Sequence, residues 1–387
     1  MTSRLSSIDM LAKLVSFDTT SRNSNLDLIG FVQDYLNAHG IGSSLVHDET
    51  GRKANLWATI GPEGDGGVVL SGHTDVVPVD GQPWETDPFV LTEKDDGRLY
   101  GRGTCDMKAF SAVALSMLPE FIAAPLKSPV HLALSYDEEV GCIGVHGLID
   151  HIRAIGVKPR LAIIGEPTMM RVVDAHKSIR SYFVGITGHE AHSSNVHKGV
   201  SAVMVAAELI GKISEIGARL RQTGDSTARF DPPFSTMIAN TISGGTAQNI
   251  LARDCRFTFE IRGLPQNDLD AAFEEFRSFA MESVLPRIRA IAPAADIEIK
   301  RRAYSPPLKA DPGSDAESFV MALAERNAAE AVSYGTEAGI FQEAGIAAIV
   351  CGPGDIAQAH QPNEFLDKSQ IPACEAFMRR LIARLSA

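Results

Sequence analysis

Apolar residues alternate between two spacings over the first 180 residues of the chain. Helical spacing predicts helices at 5–15, 26–39, 106–123 and 143–155. Short apolar runs between them predict buried strands at about 42–47, 54–60, 67–73, 130–136 and 161–165. Helices that alternate with buried strands are typical of an α/β domain with a mainly parallel sheet.

The pattern changes after residue 177 and changes back near residue 306. In the middle segment, period-two alternation predicts strands at 180–187, 234–243, 255–262 and 297–303, and helices at 200–220 and 269–291. Their order, β-α-β-β-α-β, is that of a ferredoxin-like unit. The α/β pattern then returns, with a helix at 314–328, a strand around Val332, a buried strand at 346–351 and a final helix at 370–385.

This order predicts one discontinuous α/β domain that carries an insertion. We expect the host domain to comprise 1–179 and 306–387, and the inserted domain to comprise 180–305. Insertions are tolerated where the ends of the host chain lie close together.

Composition excludes several classes of partner. The 36 basic and 48 acidic residues give a net charge of −12, which argues against nucleic acid or an anionic membrane as the main partner. Apolar runs stay well short of the roughly 20 residues of a spanning helix, and Asp9 interrupts any signal-peptide core. Five scattered cysteines indicate buried, reduced thiols in a cytoplasmic protein.

Acidic and histidine side chains follow the predicted buried strands, at the end where α/β enzymes place their chemistry. They are His73, Asp75, Glu138, Glu139 and Glu166, joined by Asp106 in a glycine-rich turn. Carboxylates gathered in this way repel one another unless a cation neutralises them, so the pattern predicts a metal site.

The number of ligands suits two divalent ions, and the imidazole and carboxylate donors favour zinc, with cobalt or manganese as alternatives. His73 and His360 supply imidazoles, Asp106 is the bridge, and Glu139 and Glu166 are terminal ligands. Glu138 is left over as a general base, and Asp75 is expected to accept from the second nitrogen of His73. Each candidate has an alternative when it is taken singly. A histidine at a strand end often makes a structural hydrogen bond, and a pair such as Glu138 and Glu139 often lies on a solvated surface.

Four segments together resemble the co-catalytic zinc amidohydrolases of the M20 metallopeptidase family. They read GHTDVVP at 72–78, GRGTCDMK at 101–108, DEE at 137–139 and GEPT at 165–168. The resemblance implies one metal on His73, Asp106 and Glu166, and another on Asp106, Glu139 and His360. It also implies that Glu138 is the base, that Asp75 supports His73, and that the peptide bond before Met107 is cis. The host domain is then a zinc-peptidase-like catalytic domain, and the inserted domain a lid or dimerisation domain.

Within the family, YGTEA at 334–338, AHK at 175–177 and the segment from GPG at 352–354 to HQPNE at 360–364 are similar to the members that hydrolyse N2-acetyl-L-ornithine in arginine biosynthesis. Glu337 suits the distal ammonium of such a substrate, although a glutamate that holds a loop through backbone donors is an equal alternative.

The inserted segment offers further candidates through the same resemblance. His192 matches a histidine that reaches the active site of the partner subunit in a homodimer and stabilises the tetrahedral intermediate. Asn249 and Arg262 match residues that bind the substrate carboxylate or the oxyanion. A surface salt bridge is the alternative for Arg262, and a surface position for His192.

Two rival functions remain open at this point. One is another M20 activity on an N-acyl amino acid or dipeptide, such as a desuccinylase, a dipeptidase or an aminoacylase. The other is a metal-free binding relative, which the complete set of ligands disfavours.

Overall fold

The computed structural model describes residues 5–387, so the first four residues of the predicted catalytic domain lie outside the described residues. The chain forms two compact units. One comprises the residues up to Ala175, Leu308–Ala331 and Thr336–Ala387, and the other comprises His176–Pro307 and Val332–Gly335.

The strands of the described residues are, in chain order, β1 (Ser43–His47), β2 (Ala54–Ile60), β3 (Val68–His73), β4 (Thr92–Glu93), β5 (Arg98–Tyr100), β6 (Val130–Ser135), β7 (Leu161–Pro167), β8 (Val172–His176), β9 (Ser178–Thr187), β10 (Thr236–Gly244), β11 (Asp254–Gly263), β12 (Asp296–Ser305), β13 (Ala329–Val332), β14 (Ala348–Gly352) and β15 (Phe365–Asp367).

The α-helices are α1 (Ser7–Val15), α2 (Leu26–Ala38), α3 (Lys108–Ser116), α4 (Leu118–Ala123), α5 (Val145–Ala154), α6 (Ala202–Leu220), α7 (Leu269–Ser278), α8 (Leu285–Ile291), α9 (Asp315–Ala324), α10 (Ala338–Glu343) and α11 (Gln370–Ser386). Short 3-10 helices occupy Val196–Lys198 and Ile356–Gln358. None of these helices, within residues 5–387, is long and apolar enough to cross a membrane.

The first unit is built on an eight-stranded sheet in the order β1-β2-β6-β3-β7-β14-β8-β13. Strands β6, β3, β7 and β14 run parallel to one another, and every residue in them is buried. A parallel arrangement with both faces covered explains why these segments read as continuous apolar runs. Their carboxyl ends meet at one edge of the sheet, and this edge carries the candidate site.

Helix α3 packs closely on the centre of this sheet. The ring of Phe110 lies where a Cβ on Gly165 would be, only 2.0 Å from that position. Any side chain at residue 165 would therefore displace either the helix or β7. Because Glu166 follows immediately, this packing fixes the end of β7 at the candidate site.

The second unit is a four-stranded antiparallel sheet in the order β10-β11-β9-β12. Alternate residues of β11, namely Phe257, Phe259 and Ile261, are buried in a core shared with α6 and α7. The element order is the β-α-β-β-α-β predicted from the sequence. The α/β class with an inserted unit is therefore confirmed.

Two predicted long helices are interrupted. The helix predicted over 106–123 is split into α3 and α4 by Pro119 at the start of α4, and the helix predicted over 269–291 passes through a π-helical segment (Phe279–Val284) before α8, which contains Pro286. Proline cannot donate the backbone hydrogen bond and clashes with the preceding turn. Strands β4, β5, β8 and β15 and helix α10 are additional to the prediction.

Candidate metal centre

All five predicted ligands lie together at the carboxyl edge of the large sheet. His73, Asp106 and Glu166 form one group, and Asp106, Glu139 and His360 form another, each with ligand atoms within 4.8 Å of one another. Asp106 belongs to both groups. This arrangement is the one that a pair of ions sharing a bridging carboxylate requires.

The two oxygens of Asp106 face different histidines. His73 Nε2 lies 3.0 Å from Oδ1, whereas His360 Nε2 lies 3.2 Å from Oδ2. Around them, Glu166 is 3.8 Å from His73 Nε2, and Glu139 is 2.9 Å from His360 Nε2. Each imidazole therefore points the same nitrogen at carboxylates, as a metal-ligating imidazole does.

Different local structures deliver the ligands. His73 ends β3 and Glu166 lies within β7, so strand geometry alone aims both. Asp106 follows a tight turn in which Gly103 has a φ of 81°, a conformation available to glycine at little cost, and its peptide bond to Met107 is cis, as the resemblance implies. His360 follows β14 in a loop, with a φ of 63°.

Burial and mutual charge shift the pKa values of the whole cluster. Burial alone would raise the pKa of Asp106, but hydrogen bonds with His360 and His73 hold it well below its usual range. Hydrogen bonds with Asp106 and Glu139 raise the pKa of His360 to about 10. Burial, followed by the charge of Asp106, raises the pKa of Glu139 to about 7 and that of Glu166 well above its usual range.

His73 keeps its tautomer through a different contact from the predicted one. Its Nδ1 donates to the backbone carbonyl of Asp75 at 2.9 Å, while the Asp75 carboxylate lies 3.7 Å away. The prediction that this carboxylate accepts from His73 is therefore wrong. The carboxylate instead accepts from the backbone N–H groups of Glu138 and Glu139, at 3.0 and 3.2 Å, and from Ser21 Oγ at 2.8 Å.

Asp75 thus holds the turn that carries two predicted site residues. Backbone N–H groups at a buried turn need acceptors, and a carboxylate satisfies two of them at once. Glu138 and Glu139 are only partly exposed, so the alternative of a solvated surface pair does not apply. Burial is also the main cause that raises the pKa of Glu138 to about 8.

Glu337 lies at the start of α10 and is only 1% exposed. Ser71 Oγ donates to its Oε2 at 3.5 Å, and burial raises the pKa of Glu337 to about 7, with the Ser135 hydroxyl acting in the opposite direction. The negative charge of Glu337 also contributes, after larger causes, to the raised pKa of Glu138. Contact with a substrate ammonium, which remains a prediction, requires that this side chain become accessible.

The remaining candidates lie in the inserted unit. His192 is exposed, and its segment pairs with that of Asn249, since Ser193 N–H donates to Asn249 O at 2.9 Å. Arg262 lies at the other end of β11, where it contacts Glu260 at 3.3 Å. The structure therefore brings His192 and Asn249 together and separates them from Arg262.

Comparison with known proteins identifies the family. The model of the family described as "Peptidase family M20/M25/M40" matches residues 69–384. The chain belongs to this M20 family. It is thus a hydrolase, and the resemblance noted in its sequence is confirmed.

Curated relatives of this M20 protein extend over nearly its whole length. The acetylornithine deacetylase of Myxococcus xanthus is 36% identical over 383 residues, covering 96% of each chain. That of Pasteurella multocida (strain Pm70) is 35% identical over 376 residues, covering 95% of this chain and 94% of the relative.

Solved structures share the fold. The M20 family metallo-carboxypeptidase Sso-CP2 from Sulfolobus solfataricus has a TM-score of 0.78 at 16% identity, with 99% of each chain covered. The Bacillus subtilis YXEP protein, described as a dinuclear metal-binding peptidase from the M20 family, has a TM-score of 0.65 at 16% identity, with 98% of this chain and 97% of that chain covered.

Glu364 is a site residue that sequence reasoning missed in this M20 protein. It is 1% exposed and pairs with the equally buried Arg102 at 2.6 Å. Its two oxygens also accept from the backbone N–H groups of the turn before α3, at Gly103 (3.0 Å), Cys105 (2.8 Å) and Asp106 (3.1 Å). One sequence signal could have identified Glu364, namely its position four residues after the predicted ligand His360. The same segment thus carries a ligand and the carboxylate that holds the backbone of the bridging ligand, Asp106.

Metal binding to the M20 site is expected to weaken as pH falls. The cluster retains protons near neutral pH because the pKa values of His360 and Glu139 are raised to about 10 and 7. A cation must displace these protons, and each displaced proton lowers the affinity about tenfold per unit decrease in pH. Competition with a chelator at pH 6, 7 and 8 measures this dependence, and an affinity that stays constant over that range would contradict it.

Proposed function

We propose that this M20 hydrolase cleaves the amide of N2-acetyl-L-ornithine to give L-ornithine and acetate, a step of arginine biosynthesis. The observation that carries the reaction class is the presence of Glu138 beside two ligand groups that share Asp106. The acetylornithine deacetylases at 35–36% identity over nearly the whole chain support the choice of substrate.

The donor set fits two divalent ions, most favourably zinc, with cobalt or manganese as substitutes. Two imidazoles and three carboxylates, without thiolate, are suited to these metals. His73, Asp106 and Glu166 would hold one ion, and Asp106, Glu139 and His360 the other. When bound, the ions supply Lewis-acid chemistry that polarises the amide carbonyl and makes water more acidic.

The chain itself supplies proton transfer. Glu138 takes a proton from the attacking water as the carbon–oxygen bond forms. It then gives that proton to the departing nitrogen as the carbon–nitrogen bond breaks, so ornithine leaves as a neutral amine and acetic acid retains the water oxygen. The acid then loses its proton to solvent and is released as acetate. Asp75 keeps Glu138 in place through the backbone of the turn.

A parallel substrate panel tests the proposal. The metal-loaded protein is assayed with N2-acetyl-L-ornithine, N-succinyl-diaminopimelate, a β-alanyl dipeptide and N-acetylmethionine, and the kcat/KM values are compared. We expect acetylornithine to give the highest value. A higher value for another member of the panel would reassign the substrate within the family, and no hydrolysis of any member would contradict the proposal as a whole.

A homodimer formed through the inserted unit is part of the proposal. Asn249 precedes the first residue of β11 and Arg262 lies near its other end, and the eight residue steps from Asp254 to Arg262 span roughly 27 Å. One small substrate cannot reach both within one chain, but residues from two subunits can meet it. Strand β10 is an edge of its sheet and exposes Ile238 and Ile242 at 52% and 55%, which suits pairing with a second copy.

His192 is suited to donate to an oxyanion. The backbone N–H of Ser194 donates to His192 Nδ1 at 3.2 Å, so this nitrogen is an acceptor and the proton of the neutral ring lies on Nε2. An exposed Nε2–H is the donor that a developing oxyanion requires.

Subunit complementation should reveal the position of His192. A His192→Ala variant and a Glu138→Gln variant are each expected to be nearly inactive. Mixing them with subunit exchange should restore activity, because one site of each hybrid dimer then contains both Glu138 and His192. Mass spectrometry confirms the exchange, and hybrids without recovered activity would place His192 in its own subunit's site or outside any site.

Glu337→Gln tests the predicted contact with the substrate ammonium. A lost charge-assisted hydrogen bond costs about 1.5–3 kcal/mol, so kcat/KM for acetylornithine should fall roughly 10- to 100-fold relative to that for acetylmethionine. Equal losses on the two substrates would instead assign Glu337 a structural role beside Ser71.

The proposed setting of the reaction is the cytoplasm. None of the five cysteines forms a disulfide and all are buried, as expected for a protein kept in a reducing compartment. The proposed partners are the small N-acyl amino acid and a second copy of the chain, without nucleic acid or membrane.

A further inference from the structure

The turn that follows β6 folds back on itself and brings Cys142 over Glu138. The carbonyl of Glu138 accepts from the backbone N–H groups of Gly141 and Cys142, both at 2.8 Å. Gly144 N–H closes the base of the turn on Tyr136 O at 3.1 Å. These bonds fix the separation between residues 138 and 142, so their side chains meet on the same side of the turn.

The thiol of Cys142 contacts the proposed base directly. Its Sγ donates to Glu138 Oε1 at 3.2 Å, and Cys142 is 1% exposed. A thiol is a weak donor, so it orients a carboxylate while leaving most of its basicity. Because Oε1 is engaged in this way, Oε2 is the oxygen left to accept a proton from water.

The backbone supports a role for this side chain. Cys142 has a φ of 55°, which lies in the left-handed region that favours glycine. A buried cysteine therefore occupies a position where glycine would be less strained. Strain retained beside reacting groups is expected where the side chain contributes to the site.

We propose that Cys142 is a positioning residue for amide hydrolysis, whose thiol holds the Glu138 carboxylate in the orientation that accepts the proton of water. The proposal rests on the assignment of Glu138 as the general base. The thiol keeps its own proton throughout, because the transferred proton passes from water to Glu138 and then to the leaving nitrogen.

Three substitutions separate this role from packing. Cys142→Gly removes both the thiol and the strain, Cys142→Ala removes the thiol, and Cys142→Ser keeps a donor. We expect kcat to fall about three- to tenfold in the Gly and Ala variants and less in the Ser variant, with KM and metal content unchanged. Cys374→Ala is the control, because Cys374 is equally buried but lies in α11. A packing role predicts the reverse order, with Gly or Ala more active than Ser.

A double-variant cycle tests whether the effect passes through Glu138. In a Glu138→Gln background, Cys142→Gly should cause little further loss of kcat, because the base that it orients is already absent. Independent, multiplying losses in the double variant would overturn the proposal.

Infrared spectroscopy provides a test that does not depend on activity. The difference between the spectra of the wild type and Cys142→Gly isolates the S–H stretch of Cys142, which a hydrogen bond to a carboxylate shifts to lower frequency. Glu138→Gln should move this band, and a band that stays in place would overturn the proposal. The two proposals can fail separately. Absence of hydrolysis in the substrate panel would contradict the proposed function, whereas the S–H frequency still shows whether Cys142 donates to Glu138.

Discussion

Glu138→Gln is expected to lower kcat at least about 100-fold while the protein retains its metal. The amide keeps the size of the side chain, and its carbonyl still accepts from the Cys142 thiol, but it cannot take a proton from water. Steady-state kinetics with acetylornithine, together with metal analysis of the purified variant, measure the two quantities.

Glu139→Gln is the matched control for this prediction. The two glutamates are adjacent, and the Asp75 carboxylate accepts from the N–H of each, but only Glu139 belongs to a candidate ligand group. We therefore expect Glu139→Gln to weaken the binding of one ion. Equal loss of metal from both variants, with turnover reduced only in proportion to that loss, would show that the division of roles between them is wrong.

Glu364→Ala should cause the largest loss of stability. Removal of this carboxylate leaves the buried guanidinium of Arg102 and the N–H groups of Gly103, Cys105 and Asp106 without their acceptor. Breaking a buried ion pair typically costs about 3–5 kcal/mol, which for a chain of this length corresponds to a fall in melting temperature of roughly 4–6 °C. Because the released turn carries Asp106, both ions should also bind more weakly.

An exposed glutamate provides the control for Glu364. Glu85 pairs with Lys94 at 2.8 Å, but its side chain is 69% exposed, so Glu85→Ala should change stability by less than about 1 kcal/mol. Thermal unfolding and chelator competition distinguish the two variants. A Glu364→Ala protein that melts and binds metal like the wild type would show that the turn is held without this carboxylate.

The ligand residues could be predicted because their positions depend on simple geometry. His73 ends a buried parallel strand and Glu166 is the last residue but one of its neighbour, and the carboxyl ends of such strands necessarily meet at one edge of a sheet. Asp106 and His360 lie in loops, where periodicity carries no positional information. Their prediction depended on the residue types and on the resemblance to a family.

The supporting contacts could not be predicted in the same way. Whether the Asp75 carboxylate faces His73 or the backbone of residues 138 and 139 depends on a turn whose path is set by tertiary packing. Similarly, the pairing of Glu364 with Arg102 joins residues 262 positions apart. The helix breaks at Pro119 and Pro286 were, by contrast, visible in the sequence, because proline interrupts helical hydrogen bonding wherever it stands.

The order in which the ribosome makes the chain bears on how the site is completed. His73, Asp106 and Glu166 all precede the inserted unit. The residues of one complete ligand group are therefore synthesised before the last two hundred residues of the chain. His360 and Glu364 emerge only after that unit has been synthesised. The second ligand group and the support for the bridging ligand are therefore complete only when translation is nearly finished. Chains that terminate early would lack both.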